Sequence, residues 1–343
     1  MENKRTKDEL RLLQNLPLEI KVAKTKLRIR EWVDMYGVEG VYVSFSGGKD
    51  STVLLHIVRE MYPNVEAVFV NTGLEFPEIQ QFVKTFDNVT ILRPKMRFDE
   101  VIKKYGYPII SKSVSRKISD AKKGKEWVKK YIDGTAVKGD GEKSFYNIEK
   151  YSPLLSCDFN ISDQCCAVMK KSPAKQYAKE SKKNPITGQM ASESSLRTAQ
   201  WLLKGCNAFD TKNPISNPMS FWTEQDILRY IKENNIKIAS VYGDIEYRDK
   251  PEQLRFCDEG ELLKLSGCDR TGCVFCAYGC HREGEPTRFQ RLKETHPKQY
   301  AYCIGGGEFN EQGIWQPSKE GLGMGYVFDR MNEIYGEDFI KYK

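Results

Sequence analysis

Between residues 8 and 36 the apolar positions fall at helical spacing, among them Leu10, Leu13, Leu16, Leu18, Ile20, Val22, Leu27, Ile29 and Trp32, with a break at Pro17. The spacing predicts two helices, closed off by Gly37 and Gly40. The pattern then alternates. Apolar runs predict strands at 41–45, 66–71 and 89–92, and helical periodicity predicts helices at 50–61, 77–85 and 97–104. Such alternation implies βαβ units, hence an α/β fold with a doubly wound, mostly parallel sheet and helices on both faces. Sheets of this kind bind ligands beyond the carboxyl ends of their strands. The turn after residue 45 and the segment Asn71-Thr72-Gly73 both fall there.

Residues 111–150 are lysine-rich and weakly periodic, which predicts a mobile basic excursion rather than core. A helix around 166–181, a strand near 185–189 and a helix at 194–203 resume the alternation. From about residue 243 the texture turns to cysteine, glycine and charge. Three regions are therefore expected: an N-terminal helical segment 1–37, an α/β domain 38–242, and a Cys-rich C-terminal region 243–343. No internal repeat or low-complexity tract is present in the sequence.

The strand at 41–45 runs through Ser-Gly-Gly-Lys-Asp-Ser, residues 46–51, directly into the apolar helix Val53-Leu54-Leu55-His56-Ile57-Val58. A glycine-rich turn at a helix N-terminus leaves backbone N–H groups facing outward where the macrodipole favours negative charge, so it predicts a phosphate seat. Gly47 and Gly48 allow close approach of an anion. Ser44, Ser46 and Ser51 are candidate hydroxyl donors, and Lys49 adds a point charge. The contiguous spacing is neither that of the GxxxxGK[ST] loop nor that of GxGxxG.

With 343 residues, 40% apolar and 29% charged, the chain has the makeup of an ordinary soluble globular protein. No apolar run reaches the length of a membrane span and the N-terminus has no apolar signal core, so a cytoplasmic protein is expected. Ten cysteines in that setting read as metal ligands or redox groups rather than a disulfide framework. The net charge of +7 favours phosphate-bearing partners, although most of the lysines are expected to be solvated surface.

Six segments taken together resemble one family. Ser-Gly-Gly-Lys-Asp-Ser is similar to the PP-loop of the adenine-nucleotide alpha-hydrolase-like superfamily. Asn71-Thr72-Gly73-Leu-Glu-Phe-Pro-Glu78 resembles the stretch after the second strand in phosphoadenosine phosphosulfate and adenylyl sulfate reductases. Gln164-Cys165-Cys166, followed by Lys170-Lys171 and Pro173, looks like the tandem-cysteine motif of the iron-sulfur members, and Cys273-Val-Phe-Cys276 like their closing Cys-x-x-Cys. Gly188 with Glu193-Ser194 and Arg197, and Asn217-Pro218 with Trp222-Thr223 and Asp226, match in the same order.

The resemblance implies that Ser44, Ser46, Gly47, Gly48, Lys49, Asp50, Ser51, Asn71, Thr72, Gly73, Gly188 and Glu193 bind an adenine nucleotide, with Lys49, Asp50 and Arg197 acting on it and Mg²⁺ beside Asp50 if that nucleotide is ATP. Cys165, Cys166, Cys273 and Cys276 would hold a [4Fe-4S] cluster. Zinc at Cys268, Cys273, Cys276 and Cys280 is the alternative that four thiolates leave open. Cys157, Cys206, Cys257 and Cys303 are expected as small buried residues, and Trp201, Phe221 and Trp222 as core. His56, His281 and His296 form no ligand pattern.

Two reactions fit these motifs. In one, an acceptor attacks the α-phosphorus of ATP, releasing pyrophosphate, and sulfur then displaces AMP; a nucleic acid could be the acceptor, and a sulfur-donor protein the source. In the other, a thiol donor reduces an adenylyl sulfate to sulfite. The family's reductases carry a Glu-Cys-Gly-x-His segment that is absent from these residues, which weighs toward the first. A nucleotide- and cluster-dependent regulatory subunit is a third reading.

Overall fold

The computed structural model describes residues 5–248 and 262–343, so Cys257 and much of the charged stretch at 245–265 lie outside the described residues. The chain forms two compact units that are discontinuous in sequence: residues 1–71, 75–93 and 174–271 make the first, and 72–74, 94–173 and 272–343 the second. They do not follow the linear boundaries at 37 and 242 that composition suggests.

The first unit is built on a six-stranded sheet. Its order is Val89–Leu92, Glu66–Val70, Val41–Ser44, Asn184–Thr187, Ile215–Ser216, Asn207–Ala208. All neighbours are parallel except the last pair. The strand Val41–Ser44 lies centrally, with its sequence successor on one side and Asn184–Thr187 on the other. Strand order therefore reverses at its carboxyl end, where doubly wound sheets bind ligands.

The helices Lys7–Gln14 and Leu18–Tyr36 flank Pro17 as the pattern predicts. They join one core with the loop helix Lys49–Met61 and the helix Glu224–Glu233, in which Ile29, Trp32, Val53, Leu54, Ile57, Trp222 and Ile227 are wholly buried. Trp201 and Phe221 are buried there too. Within that core Lys21 Nζ meets Asp226 Oδ2 at 2.6 Å, with both side chains almost fully covered.

The second unit packs the helices Phe98–Tyr105, Arg288–Thr295, Pro297–Ile304 and Met324–Tyr335 around residues such as Phe159, Phe289, Val327 and Phe328. The expected basic excursion is in part a helix, Lys112–Lys122, with one buried face. Ser111 Oγ caps it by accepting from Val114 N, and Val114, Ser115, Ile118 and Ser119 turn inward. The periodicity is hard to see in sequence because the buried face mixes serines and Lys117 with only two aliphatics. No described helix is long and apolar enough to cross a membrane.

Candidate functional site

In the first unit the strand Val41–Ser44 ends at the switch point and the chain turns through Phe45-Ser46-Gly47-Gly48 into the helix beginning at Lys49. Gly47 has φ +71°, and a Cβ there would stand 2.7 Å from Val83 and 2.8 Å from Ile79. The turn can therefore be made by glycine alone without displacing the helix Pro77–Val83. Gly48 is the helix N-cap and lacks a side chain to cap with, so Ser46 Oγ accepts its N–H at 3.3 Å. Ser51 Oγ accepts from Ser46 N at 3.1 Å and lies 3.0 Å from Ser46 Oγ. Two hydroxyls and the helix N-terminus are thus gathered on one short turn, a cradle suited to phosphate oxygens.

Lys49 is 3% exposed. Its ammonium donates to the Asp269 carbonyl at 2.9 Å and stands 3.3 Å from Glu224 and 3.8 Å from Asp50. Its backbone N–H donates to Tyr242 Oη at 3.0 Å, and that hydroxyl lies 2.6 Å from Thr271 Oγ1. Burial raises the Tyr242 hydroxyl to about 12, so it stays protonated at neutral pH. Asp50 is pushed above the usual carboxylate value by burial, although Lys49, Arg270 and Arg197 pull the other way. Its Oδ1 is buried with no hydrogen-bond partner among the described residues. A buried carboxylate oxygen with no hydrogen bond and only the Lys49 ammonium, at 3.8 Å, beside it is of the kind that Mg²⁺ takes, since that ion binds through one or two carboxylates and the nucleotide's own phosphates.

Gly188 follows the neighbouring strand and comes close to the loop helix: a Cβ there would lie 3.1 Å from the Asp50 carbonyl. Glu193 Oε2 accepts from Met190 N at 3.0 Å and pairs with Arg197, and Arg270 reaches Glu193 at 3.3 Å. Arg197 is thereby tied to Glu193 rather than presented alone, and burial lowers its guanidinium. Asn71 directly follows this unit's second strand, and its N–H donates to the Leu92 carbonyl at 2.9 Å. Thr72 and Gly73 belong to the second unit, where Thr72 Oγ1 accepts from Leu74 N at 3.1 Å. Ser44 is exposed at the strand end. Tyr242, Glu224 and the segment Asp269-Arg270-Thr271 escape a sequence reading, since they lie 175 or more positions from Lys49 and form no motif with it.

In the second unit Cys165, Cys166, Cys273 and Cys276 line one small apolar cavity with Leu74, Phe98, Pro108, Met169 and Lys170. None of the four is in a disulfide. The Cys165 and Cys166 sulfurs are 3.9 Å apart. The hydrogen bond from Cys165 lowers Cys166 below a free thiol, helped by the Lys112 and Lys170 cations, while the same bond and burial raise Cys165. One of the pair is thus poised as thiolate, the form that ligates metal. Arg288 Nη1 donates to the Cys276 carbonyl at 2.8 Å and fixes the second pair's backbone.

Among the described residues no three His, Cys, Asp or Glu side chains stand ready around a single ion. Four cysteines on one lining are the ligand type that an iron-sulfur cluster takes, but the 3.9 Å between the Cys165 and Cys166 sulfurs is a hydrogen-bonded approach rather than the separation of two cluster corners. Of the alternates, Cys268 belongs to the first unit. Cys280 donates its S–H to the Ala277 carbonyl at 3.0 Å, and burial raises it to about 12. Cys157 and Cys303 are buried, and Cys206 is partly so.

Known proteins resemble the chain over part of its length. A 30% match over 131 residues links the chain to an uncharacterized protein of Methanocaldococcus jannaschii, covering 35% of this chain and only 32% of that protein. Adenosine 5'-phosphosulfate reductase of Staphylococcus epidermidis is 22% identical over 225 residues, covering 64% of this chain and 72% of the relative. The enzyme of the same name from Staphylococcus haemolyticus is 23% identical over 224 residues. The crystal structure of a phosphoadenylyl-sulfate reductase from Candida auris, a phosphate complex, aligns over 72% of this chain and 95% of its own at 15% identity, with a TM-score of 0.39 that carries no further weight. The profile of the phosphoadenosine phosphosulfate reductase domain matches residues 40–278, from just before the glycine turn to just past Cys276, and the chain belongs to that family of the PP-loop superfamily.

Proposed function

We propose that the chain is an enzyme of the sulfonucleotide reductase type, which seats the phosphates of an adenylyl sulfate on Ser46–Ser51 and lets a thiol donor attack its sulfur. The new sulfur–sulfur bond forms as the bond from sulfur to the bridging oxygen breaks, and the nucleotide leaves as its monophosphate. A second thiol then takes the first thiol's sulfur, releasing sulfite and leaving a disulfide. The turn's N–H groups and Lys49 would bear the charge that builds on the leaving phosphate. Cys165, Cys166, Cys273 and Cys276 would hold a [4Fe-4S] cluster, which when bound supplies redox and sulfide chemistry. The observation that carries the reading is the single family match that takes in both the glycine turn and the Cys273–Cys276 pair.

Two observations favour a second reading, activation of an acceptor by ATP with release of pyrophosphate. The Asp50 oxygen that takes no hydrogen bond suits Mg²⁺, which ATP brings. Cys280 and Cys303, the cysteines that follow the four-thiol cavity, are buried with thiols pushed up, and neither is placed to attack a substrate. Anaerobic turnover separates the two. Sulfite from an adenylyl sulfate with thioredoxin present, reduced about a hundredfold or more by Lys49→Ala, supports the first. Pyrophosphate and AMP from ATP, with no sulfite from either sulfonucleotide, would replace it with the second. Binding of both nucleotides without turnover would leave the regulatory role.

A further inference from the structure

A charged and aromatic surface on the second unit lies outside everything assigned above. Residues 111–131 contain eight Lys and Arg against only Asp120 and Glu126, a net +6 where the whole chain is +7. Part of that charge is spent internally: Lys122 donates to the Cys157 and Phe159 carbonyls, Lys125 pairs with Asp120, and Lys129 with Glu126. Of the rest, Lys117 is buried and Lys112 acts on Cys166, so the cations left facing outward are Arg116, which also stands 3.8 Å from Asp120, with Lys123 and Lys130.

Exposed rings interleave with them in one connected patch. The Arg116 guanidinium lies 5.8 Å from the Trp127 ring, which meets Tyr131 at 5.9 Å. Beneath them Lys117, buried and donating to Ser113 Oγ at 2.7 Å, holds its Nζ 5.1 Å from Tyr131 and 5.7 Å from Tyr146, and Tyr146 meets Phe145 at 6.0 Å. Phe145 is 89% exposed, Tyr146 64% and Trp127 43%. Leaving a phenylalanine that bare costs its burial energy, and a merely solvated basic face needs no rings at all.

We infer that this patch binds single-stranded nucleic acid, the cations tracking phosphates and the open rings taking stacked bases. An acidic protein segment would satisfy the charge and leave the ring faces idle. A base has a flat π-face to offer each ring, and its phosphates recur at a spacing that interleaved cations meet. Because the patch is described within one unit and needs no nucleotide, the inference stands or falls apart from the proposed function.

The test is fluorescence anisotropy of the full chain with a short labelled single strand, as RNA and as DNA, and with the same sequence as duplex. Expected are binding to a single strand that weakens steeply with salt, a preference for it over duplex, and a loss of about fivefold or more for Phe145→Ala with Tyr146→Ala. The same pair should leave the melting temperature unchanged, since both rings are exposed. Arg116→Glu with Lys130→Glu should make the salt dependence shallower. The RNA and DNA arms identify which strand is preferred. No binding at low salt, equal affinity for duplex with no effect of the ring variants, or displacement by polyglutamate as readily as by unlabelled strand would overturn it.

Discussion

Asp50 shows what the site asks of a single residue. It stands in the first turn of the loop helix, where the dipole favours an anion, yet burial holds its carboxyl above the ordinary 3.8 and leaves one oxygen without a hydrogen bond. A carboxylate kept there for binding weakens the fold that holds it. Asp50→Asn should therefore stabilise the protein by roughly 1 kcal/mol while abolishing nucleotide turnover, read as a higher melting temperature with lost activity. The pH dependence has a definite sign. Because the folded carboxyl titrates above its unfolded value, the folded state holds the extra proton in that window, and stability falls as pH rises through it. The Asn variant should lack that slope. Gly47→Ala acts in the opposite direction. With φ at +71° and Val83 and Ile79 both within 3 Å of the added methyl, it should cost at least about 1–2 kcal/mol and weaken nucleotide binding, measured by urea unfolding at unchanged m-value and by titration.

Elements are fastened by contacts that no local pattern announces. Asp226 belongs to a motif that the resemblance marks, yet in the fold it accepts from Thr223 N at 2.7 Å to cap the helix Glu224–Glu233 and takes Lys21 from the helix Leu18–Tyr36 at 2.6 Å. Removing Lys21 strands a buried carboxylate. Lys21→Met should cost about 3–5 kcal/mol, and adding Asp226→Asn should return part of that, a non-additivity readable by denaturant unfolding. The helices and strands themselves were legible because each has a local cause: period, Pro17, the glycine turn, the apolar runs. Their extents shift by a residue or two at the ends, as with the strand Glu66–Val70 for an expected 66–71. The helix Lys112–Lys122 was not legible, because its hidden face is made of serine and lysine as much as of Val114 and Ile118. The loop residues and the two cysteine pairs could be picked out by spacing. Tyr242 and Asp269, which hold Lys49, could not, because only the folded chain brings residues 242 and 269 to residue 49.

For the molecule as a whole, the sequence suggests cutting where the composition changes, and the packing argues against it. The chain passes between the two units after Asn71, Leu74, Arg93, Pro173 and Thr271, so neither is a continuous piece. The first unit's core includes Leu263 and Leu265, and Gln225 exchanges two hydrogen bonds with the backbone of Leu263, at 2.9 Å and 2.8 Å. Thr271 closes the contacts around Tyr242 from still further along the chain. A fragment ending at residue 242 would leave that apolar surface uncovered and the Tyr242–Thr271 hydrogen bond unmade, and would carry residues 94–173 without the helices that bury Phe159's unit. Two or three missing core side chains cost roughly 2–5 kcal/mol each, which is comparable to the whole stability of a domain. The fragment 1–242 should therefore lack the cooperative melt and near-ultraviolet dichroism that the full chain shows. A sharp transition for 1–242 near that of the full chain would mean that the α/β core closes without Leu263, Leu265 and Thr271, and that the linear boundary is the physical one.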